Sequence, residues 1–457
     1  MDIVLSKLSK LVIKKFIIII IFLFGRGSWS ADLMEVFQQA LVNEPIYQNE
    51  VLKTLVSKAN IGIDQSLLLP HVGFTSQVLG DKQSSSGAMV SSGLFPRNNK
   101  IKAFDNRLSL TQPVFNWANF KRLSASKLSY QIASANLNAK FQDLIVRVAE
   151  AYFNTLYYEN NLNYYKSNKI TMAKQLSQVK EKYRIGKANR NDLDMAMSAF
   201  SLAESNYITA QSELAEQKLH LAEISAIEYP YLARLKDNFP RENLKPGNLQ
   251  NWVDAAVRQN WSIKTNQLRV KAARERIKQA FAGHLPNANV EVYYDVLPFH
   301  IQNGSLLVAA GSSRVNNLAA AVNINVPIYS GGLVAANTKK AQYLFRIAEQ
   351  QLDASCRKTT YSVKQNYLRI LSDIHKIKSD QQTIASNQNS LNRLKERYAL
   401  GATDLMQVIN QQDRLIHSQI ELNKDRFNYI IEILKFKKNL GTLSIDDIKM
   451  VNSWLEK

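Results

Sequence analysis

Two very long stretches of the chain contain no proline, and they limit the possible folds more than any other feature. Between Pro113 and Pro230 the only glycine is Gly186, and after Gly332 only Gly401 and Gly441 interrupt. Proline and glycine are the strongest breakers of regular structure, so their absence over such lengths points to very long helices. The apolar spacing agrees. Phe141, Ile145, Val148, Tyr152 and Leu156 step by four and three, as do Val363, Tyr367, Ile370, Ile374 and Ile377. A mean step near 3.5 is the seam of a coiled coil. Leu193, Met197, Phe200, Ala203, Tyr207, Ala210 and Leu214 seam a second helix after Gly186, which must run back antiparallel to the first. That first helix, from Asn116 to about Lys182, would span roughly 100 Å at 1.5 Å per residue. No globular core needs such a length.

The stretches are copies of one another. Leu69-Pro70 recurs as Leu285-Pro286, Pro113 in LSLTQPVFNW recurs as Pro327 in NINVPIYSGG, and Tyr183-Arg184-Ile185-Gly186 recurs as Tyr398-Ala399-Leu400-Gly401. Three landmarks in one order at an offset of about 215 residues indicate a duplicated unit, far too long for a solenoid repeat. The expected division is a signal peptide over 1–30, a first repeat over 31–246 and a second over 247–457.

Each unit also carries two alternating segments. Val72, Phe74, Ser76 and Val78 alternate with His71, Gly73, Thr75 and Gln77. Past a Ser/Gly-rich segment, Phe104, Leu108, Leu110 and Val114 alternate with Asp105, Arg107, Ser109 and Thr111. The second unit repeats this with Ala288, Val290, Val292, Tyr294 and Val296, a loop containing Gly304 and Gly311, and then Leu318, Ala320, Val322, Ile324 and Val326. Strands are expected at about 70–79, 103–115, 287–296 and 315–328, with helical hairpins over 116–228 and 332–440. Strands of this length with one apolar and one polar face suit a transmembrane barrel wall, which needs about 9–11 residues per strand. Leu108, Leu110, Val114, Val322, Ile324 and Val326 are the lipid-facing candidates. Pro113 and Pro327, with Gly331 and Gly332, mark the junction where a strand stops and a helix begins. Four strands cannot close a barrel, and an open edge cannot sit in lipid, so several chains must share one barrel; three would give twelve strands. The other helix-rich reading is a soluble periplasmic coiled-coil scaffold or adaptor, which would not need these strands.

The N-terminus places the chain outside the cytoplasm. Lys7, Lys10, Lys14 and Lys15 precede the apolar run Phe16 to Phe24, and Ser28-Trp29-Ser30 offers small residues for cleavage. That run is too short for a membrane span of roughly 20 residues, so it reads as a secretory signal. The single cysteine, Cys356, can form no internal disulfide. The net charge of +20 sits on residues scattered at helical surface spacing. An exported chain with that pattern reads as a solvated basic surface rather than a nucleic-acid binder. The six histidines show no metal-ligand spacing, and there is no nucleophile elbow or phosphate-binding loop, so no catalytic, cofactor or metal residues are assigned. Asp446-Asp447 follows Ser444 and reads as helix capping. Trp117, just past a strand, reads as an aromatic anchor at the membrane face.

At this point the sequence resembles the TolC family of outer-membrane efflux and secretion channels. The resemblance covers essentially the whole mature chain. It rests on LLPHV ending at Val72, LSLTQPVFNW, LIVRVAEAYFNTL from Leu144, VPIYSGG from Val326, the paired Tyr-x-x-Gly turns, and NLGTLSIDDI from Asn439. It implies a mainly α chain with β, forming a homotrimer. A twelve-stranded outer-membrane β-barrel, four strands per chain, would continue into a long periplasmic α-helical coiled-coil barrel. It further implies a passive exit duct for drugs, small molecules or proteins, whose tip docks on a periplasmic adaptor (membrane fusion) protein and an inner-membrane transporter of RND, ABC or MFS type. The family closes the tip with a tyrosine before the second turn glycine, an arginine two after it, and an aspartate six after the first. Those positions are Tyr398, Thr403 and Asp192; the arginine is missing, and Arg190 is the candidate to supply it from the other turn. Two aspartates that form an acidic constriction correspond here to Gln407 and Asn410. Amides make that ring neutral, so the expectation is weak cation preference and little block by multivalent cations.

Overall fold

The computed structural model describes residues 30–240, 248–303 and 310–456. The signal segment before Ser30, the repeat boundary at 246/247 and Gly304 fall outside the described residues. In chain order the elements are α1 (Leu33–Asn43), α2 (Pro45–Ser66), β1 (His71–Ser84), a single turn α3 (Ala88–Ser91), β2 (Asn98–Asn116), α4 (Trp117–Arg184) and α5 (Arg190–Ser225). Then follow α6 (Leu249–Gln259), α7 (Trp261–Phe281), β3 (Asn287–Ile301), β4 (Gly311–Asn325), α8 (Leu333–Ala399), α9 (Leu405–Leu440) and α10 (Ile445–Asn452). The proline-free stretches are the two long hairpins, with α4 of 68 residues and α8 of 67.

Two compact units emerge, and each draws on both sequence repeats. One combines the chain up to Asn49 with Asn138–Asn260 and the chain from Lys358; the other combines Glu50–Leu137 with Trp261–Arg357. The first unit holds the main apolar core. Ile145, Val148, Tyr152 and Leu156 of α4 and Val363, Ile370 and Ile377 of α8 are all buried there, with Phe37, Phe153, Tyr429 and Phe436. The 3.5-residue seam read from the sequence is thus the buried stripe of each long helix. On α5, Leu193, Ala203, Ala210 and Leu214 are buried as that seam requires, but Met197 is 51% exposed and Ala196 takes its place inside. The small side chain sits on the buried stripe beside Val179 and Leu405, and the longer one turns outward. The buried Tyr152 hydroxyl is satisfied by the carbonyls of Ala31 (3.1 Å) and Ala233 (2.8 Å), so this large ring enters the core without an orphaned polar group.

Helix ends follow local chemistry. The turn glycines Gly186 and Gly401 have φ of +73° and +72°, a left-handed backbone that glycine adopts at no steric cost. Three residues later Asn189 and Asp404 cap α5 and α9, accepting from the backbone N–H of Asp192 at 2.7 Å and of Gln407 at 2.9 Å. Gly441 ends α9 at φ +81°, where a β-carbon would lie 2.4 Å from the Gln259 carbonyl oxygen, so glycine is required twice over. Ser444 and Asp447 form the capping box that opens α10.

The second unit is a four-stranded antiparallel sheet in the order β1-β2-β3-β4 with helical segments whose buried residues are mostly alanines, among them Ala125, Ala133, Ala272, Ala341 and Ala348. The strands run 14 to 19 residues, longer than the alternation alone suggested. Pairing continues at the loop ends through residues such as Lys100 and Asn99, whose polarity hid them from a hydrophobic pattern.

Candidate functional site

Two places carry the candidate residues. The first is the sheet. Its register aligns apolar side chains in rows across all four strands: Phe74, Leu108, Tyr294 and Leu318 in one, Val72, Leu110, Val292 and Ala320 in the next. Residues directly opposite in an antiparallel sheet share a face, so these rows form one apolar surface. It is open in the single chain: Phe74 is 68% exposed, Leu108 49%, Tyr294 42% and Leu318 73%. The other face is polar. Arg107 holds Asp295 through two hydrogen bonds of 2.6 and 3.2 Å, and its guanidinium lies 4.9 Å from the centre of the Tyr293 ring. Among the described residues, strands β1 and β4 each have a free edge.

The junction residues behave differently in the two copies. Pro113 does not end all pairing, as the sequence suggested. It still opposes Asn289, and the register slips between Pro113 and Phe115 before β2 closes at Asn116 opposite Asn287. What has ended is the β1 side, whose last pair is His71 with Thr111, so β1 needs no donor from the proline. The bulge also moves Val114 out of the apolar row: Phe115, opposite Ala288, continues it. Helix α4 then starts at once with Trp117, which packs on Phe120 (6.5 Å between rings) under the Lys121 ammonium (4.7 Å). In the second copy β4 stops at Asn325, short of the expected 328, leaving Val326 and Pro327 in the linker to α8. There Gly331 (φ +59°) and Gly332 (φ +80°) turn the chain into α8. Val322 and Ile324 lie on the apolar face as expected.

The second place is the tips of the long hairpins. Tyr398 is half-buried against Val179, Leu193 and Leu405 on one side and Leu391, Val408 and Leu415 on the other. Burial, and then the charge of Asp192, hold its hydroxyl pKa above the usual value. Asp192 precedes Leu193, which packs in one cluster with Tyr398, and no hydrogen bond joins Asp192 to Tyr398 among the described residues. The Lys182 ammonium lies 4.8 Å from the Tyr398 ring centre, a contact the sequence did not flag. Arg190 does not reach this pair. Its Nε donates to Asp194 at 3.0 Å one turn along the same helix, and Asp194 together with Tyr183 keeps its pKa raised. Thr403 donates from Oγ1 to Gln407 Oε1 at 2.8 Å. Gln407 and Asn410 are exposed on α9. Asp192 and Gln407 hold equivalent posts, each three residues after its cap and six after its turn glycine.

Together these features describe a chain that offers a strand wall with one exposed apolar face and two open edges, and a pair of long antiparallel hairpins. That combination defines a subunit of an oligomeric membrane barrel with helical extensions. The comparisons name the family. The sequence profile of outer membrane efflux proteins matches residues 36–226 and 252–442, two matches whose starts lie 216 residues apart. The chain belongs to this family. It is 28% identical over 439 residues to the outer membrane protein TolC of Escherichia coli, covering 95% of this chain and 87% of that protein. It is 22% identical to the alkaline protease secretion protein AprF of Pseudomonas aeruginosa, covering 94% and 88%. The Campylobacter jejuni CmeC outer membrane channel superposes with a TM-score of 0.78 at 17% identity, covering 93% of this chain and 90% of that one. The fold is that of the TolC-type channels, twelve strands from three chains. The protein is an outer-membrane exit channel for efflux or type I secretion.

Proposed function

We propose that this chain, as a homotrimer, is the passive exit duct of a tripartite assembly. A periplasmic adaptor docks on its hairpin tips, and an inner-membrane transporter of RND, ABC or MFS type supplies the energy. The carrying observation is the sheet with its exposed apolar rows and two unpaired edges. A soluble scaffold would leave that face wet and those edges free to aggregate, whereas lipid and neighbouring protomers cover both. The strands at His71–Ser84, Asn98–Asn116, Asn287–Ile301 and Gly311–Asn325 are the barrel wall, and Pro113, Pro327, Gly331 and Gly332 make its junctions with the helices.

The tip is the gate in this reading. Tyr398 and Asp192 are its lock, supported by the packing of Tyr398 with Leu193, next to Asp192, and by the Lys182 contact. Arg190 stays with Asp194, and Thr403 carries no charge, so the lock lacks a guanidinium and opens more readily than one that has it. Gln407 and Asn410 line the constriction without fixed charge, which removes the basis for tight binding of multivalent cations.

Both efflux and protein export fit a duct of this kind, and names among the relatives, TolC on one side and the protease secretion proteins AprF and PrtF on the other, support each. A deletion strain separates them. Increased sensitivity to drugs marks efflux, missing proteins in the culture supernatant mark secretion, and neither change in any condition defeats the reading.

A further inference from the structure

Helix α9 exposes Gln407, Asn410, Arg414 and His417, spaced three, four and three residues apart. On a helix of 3.6 residues per turn they form one stripe. Val408, Ile409, Gln411, Leu415 and Ile416 between them are buried, so this is the face α9 turns away from its own hairpin. From Gln407 to His417 the stripe carries no carboxylate. Arg414 has no ion-pair or hydrogen-bond partner among the described residues. Asp413, next to it in sequence, points elsewhere: it lines a cavity of about 120 Å³ with Tyr165, Met172, Ile416 and His417. Burial raises its pKa there, and the His417 charge acts in the opposite sense. Asp413 thus stands beside His417 in that cavity, and Arg414 has no carboxylate partner among the described residues. Glu421, the next carboxylate along the helix, is taken by Lys424 at 3.1 Å. Toward the tip, the Thr403 hydroxyl occupies the amide oxygen of Gln407, leaving its NH2 as the free group. Asp404, at the tip end of the stripe, spends Oδ1 on the Gln407 backbone N–H as the cap of α9, and from Gln407 onward the stripe presents donors and one unpaired cation.

We infer that Arg414, with the amide N–H groups of Gln407 and Asn410, forms an anion-binding ring at the periplasmic mouth, so that the channel favours anionic solutes carrying carboxylate or phosphate groups. The inference rests on the reading of Gln407 and Asn410 as the constriction, which sets three copies of the stripe around one passage. Guanidinium keeps its charge at every physiological pH and offers five donors in a planar fork suited to carboxylate and phosphate. Rings of arginine in a narrow pore select anions, as rings of carboxylates select cations. The weak cation preference expected from neutral amides alone gives way to an anion preference once Arg414 is counted.

Reversal potentials of the detergent-purified full-length trimer in planar bilayers, under a potassium chloride gradient, test this. The native channel is expected to reverse on the chloride-selective side. Arg414→Gln should lower the chloride-to-potassium permeability ratio by at least ~3-fold, and Arg414→Lys should keep most of it. Inorganic phosphate should reduce the chloride current of the native channel and spare that of Arg414→Gln. The double variant Gln407→Asp, Asn410→Asp reports on the constriction separately, since it should install cation selectivity whatever Arg414 does. Each variant is first shown to run as a heat-sensitive trimer. If Arg414→Gln leaves the potential unchanged while the double variant moves it, the constriction stands and the anion ring is rejected. If neither moves it, both are rejected, and a native channel that reverses on the potassium side overturns the ring outright.

Discussion

Placing an arginine on each face of one strand gives the sharpest test of the barrel wall. Leu108 lies near the middle of β2, between Phe74 of β1 and Tyr294 of β3 on the apolar face. Thr111, three residues on, is on the opposite face, directly across from Glu291. An arginine facing lipid near the bilayer midplane costs about 2–4 kcal/mol per site. A homotrimer carries three, so Leu108→Arg should cost roughly 6–12 kcal/mol per assembly, comparable to the whole stability of an ordinary domain. Thr111→Arg meets water and the Glu291 carboxylate instead, and should change stability by less than about 1 kcal/mol. The assay is the temperature at which the detergent-solubilised trimer dissociates on an unboiled gel, together with the yield of trimer folded into vesicles. Leu108→Arg should abolish or strongly lower both, while Thr111→Arg should match the native protein. Tolerance of arginine at 108 with failure at 111 would mean that the faces are reversed and the wall has been misread.

Three further outcomes follow from the geometry. Gly441→Ala meets both a left-handed backbone and the Gln259 carbonyl, so it should destabilise the chain well beyond the ~1–2 kcal/mol of the αL conformation alone. Gly186→Ala, with φ +73° but open space around it, should cost only that amount, so equal melting temperatures for the two would refute the contact. Asp192→Asn and Tyr398→Phe should each raise the single-channel conductance of the resting channel if this pair holds the tip closed; unchanged conductance in both would remove them from the gate. Asp373 is buried, and burial followed by the charge of Asp425 raises its pKa from the usual 3.8 to about 6. Its ionised form is disfavoured in the folded chain. Folding therefore takes up a proton between these values, and stability falls as pH rises from about 4 through 6. Asp373→Asn should be more stable than the native protein by about 1–3 kcal/mol at pH 7.5, with the gap closing below pH ~4. A gap that does not vary with pH would mean that Asp373 is not the titrating group.

Much of this fold could be read before the structure because its signals are periodic and long. Missing prolines defined α4 and α8, a step of 3.5 gave their buried stripes, and alternation gave the apolar rows of β2 and β4. What stayed hidden depends on register or on groups distant in sequence. The bulge that puts Phe115 where Val114 was expected arises from how β2 meets β3, and one slipped residue reverses a face. The pairing of Arg107 with Asp295 joins positions far apart in sequence, and only the register brings them together. Ala196 in place of Met197 reflects which of two adjacent side chains fits beside Val179. At the tips, Asn189 and Asp404 were legible as caps, each standing three residues after a turn glycine. Through those caps they fix the backbone of Asp192 and Gln407, a link that only the three-residue spacing records. The binding of Arg190 to Asp194 was available as an i, i+4 pair and argues against the part first suggested for that arginine.

The central claim is that three copies of this chain make one outer-membrane channel, and the most direct measurement is the state of the full-length protein in fractionated cells. The account predicts that it sediments with the outer membrane, is released only by detergent, and runs unboiled as a trimer that collapses to the monomer on heating. Recovery of a monomer in the soluble periplasmic fluid after osmotic shock would contradict it.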